Sequence, residues 1–251
     1  MTGVQTCALP ISYYDHCERE RITFHKPGRL ARRIARAIPA PAAIPAPGRD
    51  GSRGGDFRIL DFGGGDGTIG VLTAQILAVH SRARVHVQVV DYVPGRPARN
   101  GRVDVEFVAD LGAVAAGCDL VIASGVLEHV PSLDLVFPEL AGKLRPGGHL
   151  YARTPYMLPF MRHAGMDMTY PGHVHDLGDD FWGMLARWFP VPLEPVVSRP
   201  SIVQSGLRDE PVPTLAAYAL KLPARVESLW TRHPRAKLYG GWEVVLRRVG
   251  R

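Results

Sequence analysis

The sequence predicts an α/β fold with a doubly wound, mostly parallel sheet, and three observations lead to this prediction. Strand-like apolar runs alternate with helix-like runs from Phe57 onward, as they do in βαβ units. A glycine stands at every second position, at Gly63, Gly65 and Gly67, where the first strand would turn into a helix. The chain has 251 residues and is 46% hydrophobic, which is enough for one sizeable core.

Before the sheet, the sequence predicts one helix and a linker. A helix is predicted over residues 28–38, because Leu30, Ile34 and Ile38 share one face. The other face carries four arginines, which we interpret as solvated: Arg29, Arg32, Arg33 and Arg36. Residues 39–55 are rich in proline, alanine and glycine, a composition that is typical of a linker or loop.

The elements of the sheet follow from the spacing of apolar residues. We predict strands over residues 57–61, 85–90, 103–108, 120–123 and 149–154, with helices over residues 68–79 and 133–144. Pro146, Gly147 and Gly148 predict a turn before the fifth strand. The later part is less regular, and there we predict helices over residues 179–189 and 214–230 and strands over residues 193–197 and 241–248.

The glycine turn predicts a ligand at the carboxyl edge of the sheet. Glycines bring the backbone close to a ligand because no Cβ intervenes. Asp61 ends the first strand and adds a negative charge, which would repel a pyrophosphate and attract an ammonium or sulfonium group. Gly65, Gly67 and Gly70 also fit the dinucleotide pattern G-x-G-x-x-G, so a dinucleotide is the alternative ligand.

A second acid, Asp91, ends the second predicted strand. A carboxylate at this position can accept hydrogen bonds from both hydroxyls of a ribose. The alternative interpretation is a helix cap or turn acid. Tyr92 follows and can pack on an adenine, although a surface tyrosine explains the sequence equally well.

Three segments resemble the class I S-adenosylmethionine-dependent methyltransferases. Residues 61–67 resemble motif I, and residues 119–130 resemble motif IV with the Glu-His-Val tail found in small-molecule enzymes of the ubiquinone and menaquinone biosynthesis type. The turn at residues 144–148 is another hallmark of that group. The resemblance covers residues 57–154. It implies a Rossmann-like, doubly wound, mostly parallel seven-stranded sheet with an antiparallel final strand.

The resemblance also implies the cofactor S-adenosylmethionine, with S-adenosylhomocysteine as its product. It places Asp110 and the backbone N–H of Leu111 beside the adenine, although a turn aspartate is the alternative for Asp110. It places Ser124 and Gly125 under the methionine part of the cofactor. The predicted cofactor-binding residues are therefore Asp61, Gly63, Gly64, Gly65, Gly67, Asp91, Tyr92, Asp110, Leu111, Ser124 and Gly125.

The candidate catalytic residues are His129, His173 and His175. A hydroxyl acceptor needs a base, whereas an amine can lose its proton to solvent. In the resembling family the histidine corresponding to His129 is not generally the base. His173 and His175 fall on one side of an extended segment, and His163 and Tyr156 are further candidates. A His-x-His-Asp metal site lacks a fourth ligand, so no metal is predicted.

We expect this protein to transfer a methyl group from S-adenosylmethionine to a small-molecule acceptor, at oxygen, nitrogen or carbon, by in-line displacement. The alternatives are an NAD(P)-dependent oxidoreductase and a catalytically silent methyltransferase-like partner subunit. The net charge of +6 comes mostly from arginine, as a GC-rich genome produces, and no nucleic-acid motif accompanies it. The sequence therefore predicts no nucleic-acid partner and, without a long apolar run, no membrane partner. It leaves the oligomeric state open.

The sequence divides into three predicted segments. Residues 1–11 resemble the in-frame translation of a sequencing-library adapter, so we expect native sequence to begin near Ser12. Residues 12–56 are expected to form a helical cap and linker. Residues 57–251 are expected to form the methyltransferase domain, with a cofactor half over 57–154 and a substrate-facing part over 155–251. Cysteines are too few for a disulfide framework, which favours the cytoplasm.

Overall fold

The structure, a computed structural model, describes residues 27–38, 56–81, 83–92, 97–154, 174–201 and 241–250, with isolated positions between 219 and 230. Its strands are β1 (Phe57–Phe62), β2 (Val85–Val90), β3 (Ala98–Asn100), β4 (Val103–Val108), β5 (Cys118–Ser124), β6 (Leu144–Thr154), β7 (Leu193–Pro200) and β8 (Trp242–Arg248). Its helices include α1 (Pro27–Ala37), α2 (Thr68–Ser81), α3 (Leu133–Lys143), α4 (Asp179–Gly183) and α5 (Leu185–Trp188).

The strands form one mixed sheet in the order β3-β4-β2-β1-β5-β6-β8-β7. The five central strands β4, β2, β1, β5 and β6 run parallel to one another. The remaining strands pair antiparallel, with β3 on β4, β8 on β6 and β7 on β8. The predicted Rossmann-like, mostly parallel sheet with an antiparallel final strand is therefore confirmed.

The sheet carries apolar layers on both faces, which makes it doubly wound. On one face α1 and α2 pack through Leu30, Ile34 and Leu77 against strand residues such as Ile59 and Val87. On the other face α3 and α4 pack against alternate residues of the same strands, among them Leu60 and Val121. Asp61 and Asp91 continue the α1–α2 face at the carboxyl ends of β1 and β2, because side chains alternate along a strand.

The structure corrects the predicted strand number from seven to eight. The additional strand, β3, has three residues and pairs with Val103–Val105 through a turn in which Gly101 has a φ of 60°. Three residues are too few to show an alternating apolar pattern, so this strand left no signal in the sequence.

The turn predicted at Pro146, Gly147 and Gly148 is also corrected, because these residues lie within β6. The strand is irregular here, since its register with β5 shifts between Cys118 and Leu120. A Cβ on Gly148 would lie 2.9 Å from the Cys118 carbonyl oxygen, so the backbones approach closely. The Gly-Pro signal therefore marks a bulged strand entry and not a chain reversal.

The remaining predictions differ in detail. The helix predicted over residues 179–189 is divided into α4 and α5 at Met184. β5 begins earlier than predicted and includes Asp119, and β7 extends to Pro200. Most of the helix predicted over residues 214–230, and all of residues 1–26 and 39–55, lie outside the described residues.

One arginine of α1 is not solvated, which corrects the prediction of a uniformly exposed basic face. Arg33 donates to the carboxylate of Glu243 on β8 through Nε at 2.5 Å and Nη2 at 2.7 Å. The same carboxylate accepts from Arg199 Nε at 2.5 Å and from the Tyr151 hydroxyl at 3.3 Å. Arg29, Arg32 and Arg36 are exposed as predicted.

Candidate active site

The glycine turn connects β1 to α2 in a left-handed backbone path. Gly63, Gly65 and Gly67 have φ values of 65°, 57° and 76°, which residues with a Cβ rarely adopt. The Gly63 N–H donates to the Val90 carbonyl at 2.8 Å, which ties the turn to the end of β2. The alternating glycines are therefore required by the backbone itself, because three alternate positions of the turn are left-handed.

Asp61 lies beneath this turn. Its side chain is 2% exposed, and Oδ2 accepts the Gly70 N–H of α2 at 3.0 Å. A Cβ on Gly64 or Gly70 would come within 2.6 Å of this carboxyl group, so both glycines are needed to admit it. Burial raises the pKa of Asp61 to about 7, with Asp91 and Asp66 adding repulsion, while the Gly70 N–H acts in the opposite direction. The carboxyl group predicted to attract the ligand thus lies beneath the glycine turn, and burial brings its pKa near neutral pH.

Asp91 follows β2 directly and reaches the same turn. Its Oδ2 accepts the Gly65 N–H at 2.8 Å, so the acid predicted to bind a ribose also fixes the glycine turn. Tyr92, predicted to pack on adenine, is 40% exposed, and desolvation raises its phenol pKa to about 12. The structure therefore brings Asp61, Asp91 and the glycines together at one edge.

Asp110 and Leu111 stand at the end of the next strand, β4. Asp110 caps a short 3-10 turn (Leu111–Ala113), with its Oδ1 accepting the Gly112 N–H at 2.8 Å. The Leu111 side chain is 3% exposed and belongs to the apolar layer on the α3 face. The Asp110 carboxylate therefore caps a turn, as the alternative interpretation expected. Its contact with the adenine stays a prediction.

Ser124 and Gly125 end β5, the strand on the other side of β1. The Ser124 hydroxyl is buried and has no hydrogen-bond partner among the described residues. Gly125 has a φ of 73° and donates its N–H to the Arg153 carbonyl at 2.8 Å. A buried hydroxyl without a partner is uncommon, and a ligand or water at this point would satisfy it.

The candidate histidines divide into described and undescribed ones. His129 is 8% exposed, and its Nε2 lies 3.9 Å from Glu128 Oε1. His175 has its Nε2 at 2.8 Å from the Val130 carbonyl, so this ring is tied to the turn that holds His129. His173, His163 and Tyr156 lie outside the described residues. The structure thus brings two of the predicted histidines to one turn.

Two buried charged side chains near this edge, Arg153 and Glu128, were not predicted as site residues from the sequence. Arg153, on β6, is 7% exposed and donates from Nε to the Ser201 hydroxyl at 2.9 Å. Glu128 is 1% exposed in the 3-10 turn Leu127–His129, and burial raises its carboxyl pKa to about 7 while Arg153 lowers it. The available signal for Arg153 was a charged residue inside an otherwise apolar strand pattern.

These features fit the cofactor that the sequence predicts. A Cβ on Gly65 would have no atom of the described residues within 4 Å, apart from its chain neighbours, so these residues leave space on that side of the turn. Carboxyl groups lie at the ends of β1 and β2, where an adenosyl ligand with a cationic sulfur requires acceptors and negative charge. The unpartnered Ser124 hydroxyl lies at the end of the adjacent strand. The described residues include no group of three or more His, Cys, Asp or Glu side chains placed to hold a metal ion.

The doubly wound sheet, with a glycine turn and acids at its carboxyl edge, is typical of α/β enzymes that bind a nucleoside or nucleotide cofactor. The family model described as "Methyltransferase domain" matches residues 21–186, about two thirds of the chain. The protein belongs to this methyltransferase family, and it is an S-adenosylmethionine-dependent enzyme. No curated protein matches the chain.

Solved structures show the same fold at low sequence identity. Loganic acid methyltransferase with S-adenosylhomocysteine has a TM-score of 0.54 at 10% identity, over 89% of this chain and 94% of that one. Burkholderia thailandensis 1,6-didemethyltoxoflavin-N1-methyltransferase has a TM-score of 0.52 at 17% identity, over 97% and 92%. A chain of the complex that contains the Haloferax volcanii Trm112 methyltransferase activator has a TM-score of 0.53 at 14% identity, over 98% and 100%.

Within the part of the chain that the structure describes, none of the helices combines the length and the apolar character needed to cross a membrane.

Proposed function

We propose that this protein transfers a methyl group from S-adenosylmethionine to a small-molecule acceptor, at oxygen, nitrogen or carbon, by in-line displacement. We further propose that it acts in the cytoplasm and belongs to the ubiquinone and menaquinone biosynthesis type of small-molecule enzymes. The first proposal is supported by two structural neighbours, whose names refer to loganic acid and to 1,6-didemethyltoxoflavin. The second rests on the few cysteines and on the resemblance of residues 119–130 and 144–148.

The cofactor supplies the hard chemistry, because its sulfonium methyl group is already electrophilic. The task of the protein is to hold the acceptor in line with that methyl group and to exclude water. We assign Asp91 to the ribose hydroxyls and Asp110, with the Leu111 N–H, to the adenine. Ser124 and Gly125 would lie against the methionine part, where the unpartnered Ser124 hydroxyl supports the assignment.

The observation that carries the proposal is the burial of Asp61 beneath the glycine turn. Its carboxylate accepts the Gly70 N–H of α2, and the described residues leave space beside Gly65 in the turn above it. Ionised Asp61 provides a negative potential under the ligand, which favours a sulfonium or ammonium group over a pyrophosphate. The methyltransferase family assignment, likewise, does not favour an NAD(P)-dependent oxidoreductase or a silent partner subunit.

Isothermal titration calorimetry tests the cofactor assignment directly. We expect S-adenosylhomocysteine to bind and NAD(H) and NADP(H) to give no heat. The variant Asp61→Asn should weaken S-adenosylhomocysteine binding by roughly tenfold, because loss of one nearby charge–charge interaction changes binding by about 1–2 kcal/mol. Asp134→Asn, in the first turn of α3, is the matched control and should bind normally. Heat from a dinucleotide but none from S-adenosylhomocysteine would refute the assignment.

A further inference from the structure

Glu128 presents a second unsatisfied polar atom at the same edge as Ser124. Its side chain is 1% exposed, and Oε2 has no hydrogen-bond partner among the described residues. An unpartnered carboxylate oxygen in a buried position is unfavourable unless a ligand or water completes its hydrogen bonding. The cofactor assignments above use the Ser124 hydroxyl but give no role to Glu128.

Glu128 lies between the strands that carry the predicted cofactor-binding residues and the part of the chain predicted to face the substrate. Its 3-10 turn (Leu127–His129) follows β5, which lies between β1 with Asp61 and β6 with Arg153. The Glu128 carbonyl accepts the N–H groups of Val174 and His175 at 2.8 and 3.3 Å. The segment that returns after β6 is therefore anchored on this turn, and Glu128 stands where the two parts of the site meet.

The charged groups around Glu128 allow its proton to exchange near neutral pH. Desolvation favours the protonated form and raises the pKa of Glu128 to about 7, whereas the backbone N–H of Glu128 itself and Arg153 on β6 favour the ionised carboxylate. His129 Nε2 lies 3.9 Å from Oε1 on the same turn, and His175 reaches the turn from the returning segment. A carboxyl group balanced in this way is suited to accept and release a proton during each turnover.

We propose that Glu128 contacts the nucleophilic group of the acceptor and takes its proton, so that the acceptor class is one that presents an N–H or O–H group. This inference rests on the methyl transfer proposed above. The acceptor proton moves to Glu128 Oε2, and the electron pair of the acceptor nitrogen or oxygen forms the bond to the methyl carbon. The electron pair of the broken carbon–sulfur bond stays on sulfur, which becomes a neutral thioether. Glu128 then releases the proton to solvent.

The test uses the full chain saturated with S-adenosylhomocysteine and pairs of small probes that differ only in the donor. Phenol is paired with anisole, and aniline, which is neutral near pH 7, with N,N-dimethylaniline, and binding is measured by ligand-observed NMR. We expect the donor of at least one pair to bind about tenfold more tightly than its methylated counterpart, since sites that hydrogen-bond a donor reject analogues without it. The variant Glu128→Gln should reduce that ratio to about threefold or less, because an amide accepts less strongly than a carboxylate.

Methyl transfer from S-adenosylmethionine to the preferred probe, followed as S-adenosylhomocysteine release, tests the proton transfer. Glu128→Gln should lower kcat by about 100-fold or more and remove the rise of rate with pH near 7. The matched control is Glu139→Gln on α3, whose side chain is 30% exposed and 3.7 Å from Lys143. Both variants should retain the S-adenosylhomocysteine affinity of the parent. Glu139→Gln should leave the thermal midpoint unchanged, and Glu128→Gln should raise it at pH 8, because it removes a buried charge.

The outcomes separate the two proposals. Failure of the parent protein to bind S-adenosylhomocysteine overturns the proposed function itself. Normal cofactor binding without preference for a donor probe, or with a preference that Glu128→Gln retains, overturns the role of Glu128 alone. A preferred probe that the parent protein does not methylate, or that Glu128→Gln methylates at the parent rate, contradicts the proton transfer.

Discussion

At the scale of single residues, Asp61 both supports the glycine turn and carries a titratable charge. Only glycine fits at positions 64 and 70 beside Asp61, since a Cβ at either position would lie 2.6 Å from its carboxyl group. The Gly70 N–H compensates only part of the desolvation, so the carboxyl group protonates near neutral pH. The residue therefore holds the turn in both protonation states but attracts a cationic ligand in only one.

This ionisation predicts a pH-dependent stability. The folded-state pKa of Asp61, about 7, exceeds the ordinary value of 3.8, so the folded protein binds the proton more tightly than the unfolded chain. The resulting stabilisation is fully present below pH 3.8 and is lost as the pH rises through about 7. Between pH 5 and pH 8 the parent protein should lose roughly 3 kcal/mol relative to Asp61→Asn, at about 1.4 kcal/mol per pKa unit.

Urea unfolding of both proteins at pH 5 and pH 8 measures this difference. The contribution of Glu128 has the same direction but is present in both proteins, so it cancels in the comparison. Parallel pH dependence of the two proteins would show that Asp61 is ionised in the folded state throughout this range.

Alanine substitution at Gly63 and at Gly65 should destabilise the protein to different extents. Both have left-handed backbones, so alanine at either position should cost about 1–2 kcal/mol of folding stability. A Cβ on Gly63 would also lie 2.3 Å from Val126 Cγ2, whereas one on Gly65 would have no atom of the other described residues within 4 Å. Thermal unfolding should therefore show Gly63→Ala losing roughly 3 kcal/mol and Gly65→Ala about 1 kcal/mol.

The Gly65→Ala methyl group would occupy the open side of the turn, so this variant should lose S-adenosylhomocysteine affinity despite its stability. Calorimetry on the folded variant checks this. Unchanged affinity would place the cofactor away from that side of the turn.

Residue types at strand ends were predictable from the sequence, but their burial and pairing were not. The positions of Asp61 and Asp91 follow from where apolar runs stop, which is local information. The burial of Arg153 and Glu243 depends on the pairing of β6 with β8, which brings residues 153 and 243 into register. No local pattern indicates which distant strand a charged residue will face.

At the scale of elements, α1 is joined to the sheet by a buried carboxylate as well as by its apolar face. Glu243 is 1% exposed and lies directly opposite Arg153 on β6 and Arg199 on β7. Arg33 from α1 and Arg199 both donate to it. The carboxylate thus connects the amino-terminal helix with both carboxyl-terminal strands, which lie far from it in sequence.

This connection predicts a large effect of removing the carboxylate charge. Glu243→Gln should destabilise the protein by about 1.5–3 kcal/mol, because the partly exposed Arg33 and Arg199 lose their charged hydrogen-bond acceptor. Arg33→Ala should lose about 1–3 kcal/mol, since one charged hydrogen-bonding group is removed from a buried acceptor. Chemical unfolding checks both values, and Arg29→Ala, on the exposed face of the same helix, should change stability by less than about 0.5 kcal/mol. Equal effects of Arg33→Ala and Arg29→Ala would contradict the docking role.

The elements that were predicted well share one property. The bounds of β2 and β4 agree with the sequence prediction, because each is a run of alternating or continuous apolar residues that ends in an acid. The irregular entry of β6 was not predicted, because proline and glycine signal a turn and a bulge in the same way.

At the scale of the whole molecule, the two edges of the sheet use their acids differently. At the carboxyl edge, Asp61 accepts the Gly70 N–H of α2, and Asp91 and Asp110 each accept a backbone N–H from a turn that follows a strand. At the amino edge, Asp104 lies 3.0 Å from Arg99 Nε, and Asp119 forms an ion pair with Arg145. Acids at the carboxyl edge accept backbone N–H groups, whereas those at the amino edge pair with cations, and Asp119 also accepts the Arg58 N–H of β1 at 2.8 Å.

This difference between the two edges predicts which acids affect cofactor binding. S-adenosylhomocysteine at about 100 times its dissociation constant should stabilise the protein by about 2.7 kcal/mol and raise its thermal midpoint by roughly 5–10 °C. Asp91→Asn should abolish most of that rise, because the amide cannot accept from two ribose hydroxyls and the Gly65 N–H as a carboxylate can. Asp104→Asn, at the opposite edge, should lower the midpoint of the free protein slightly and leave the ligand-induced rise unchanged. Equal loss of the rise in both variants would mean that the cofactor responds to net charge and not to the carboxyl edge, and the site would then have to lie elsewhere on the sheet.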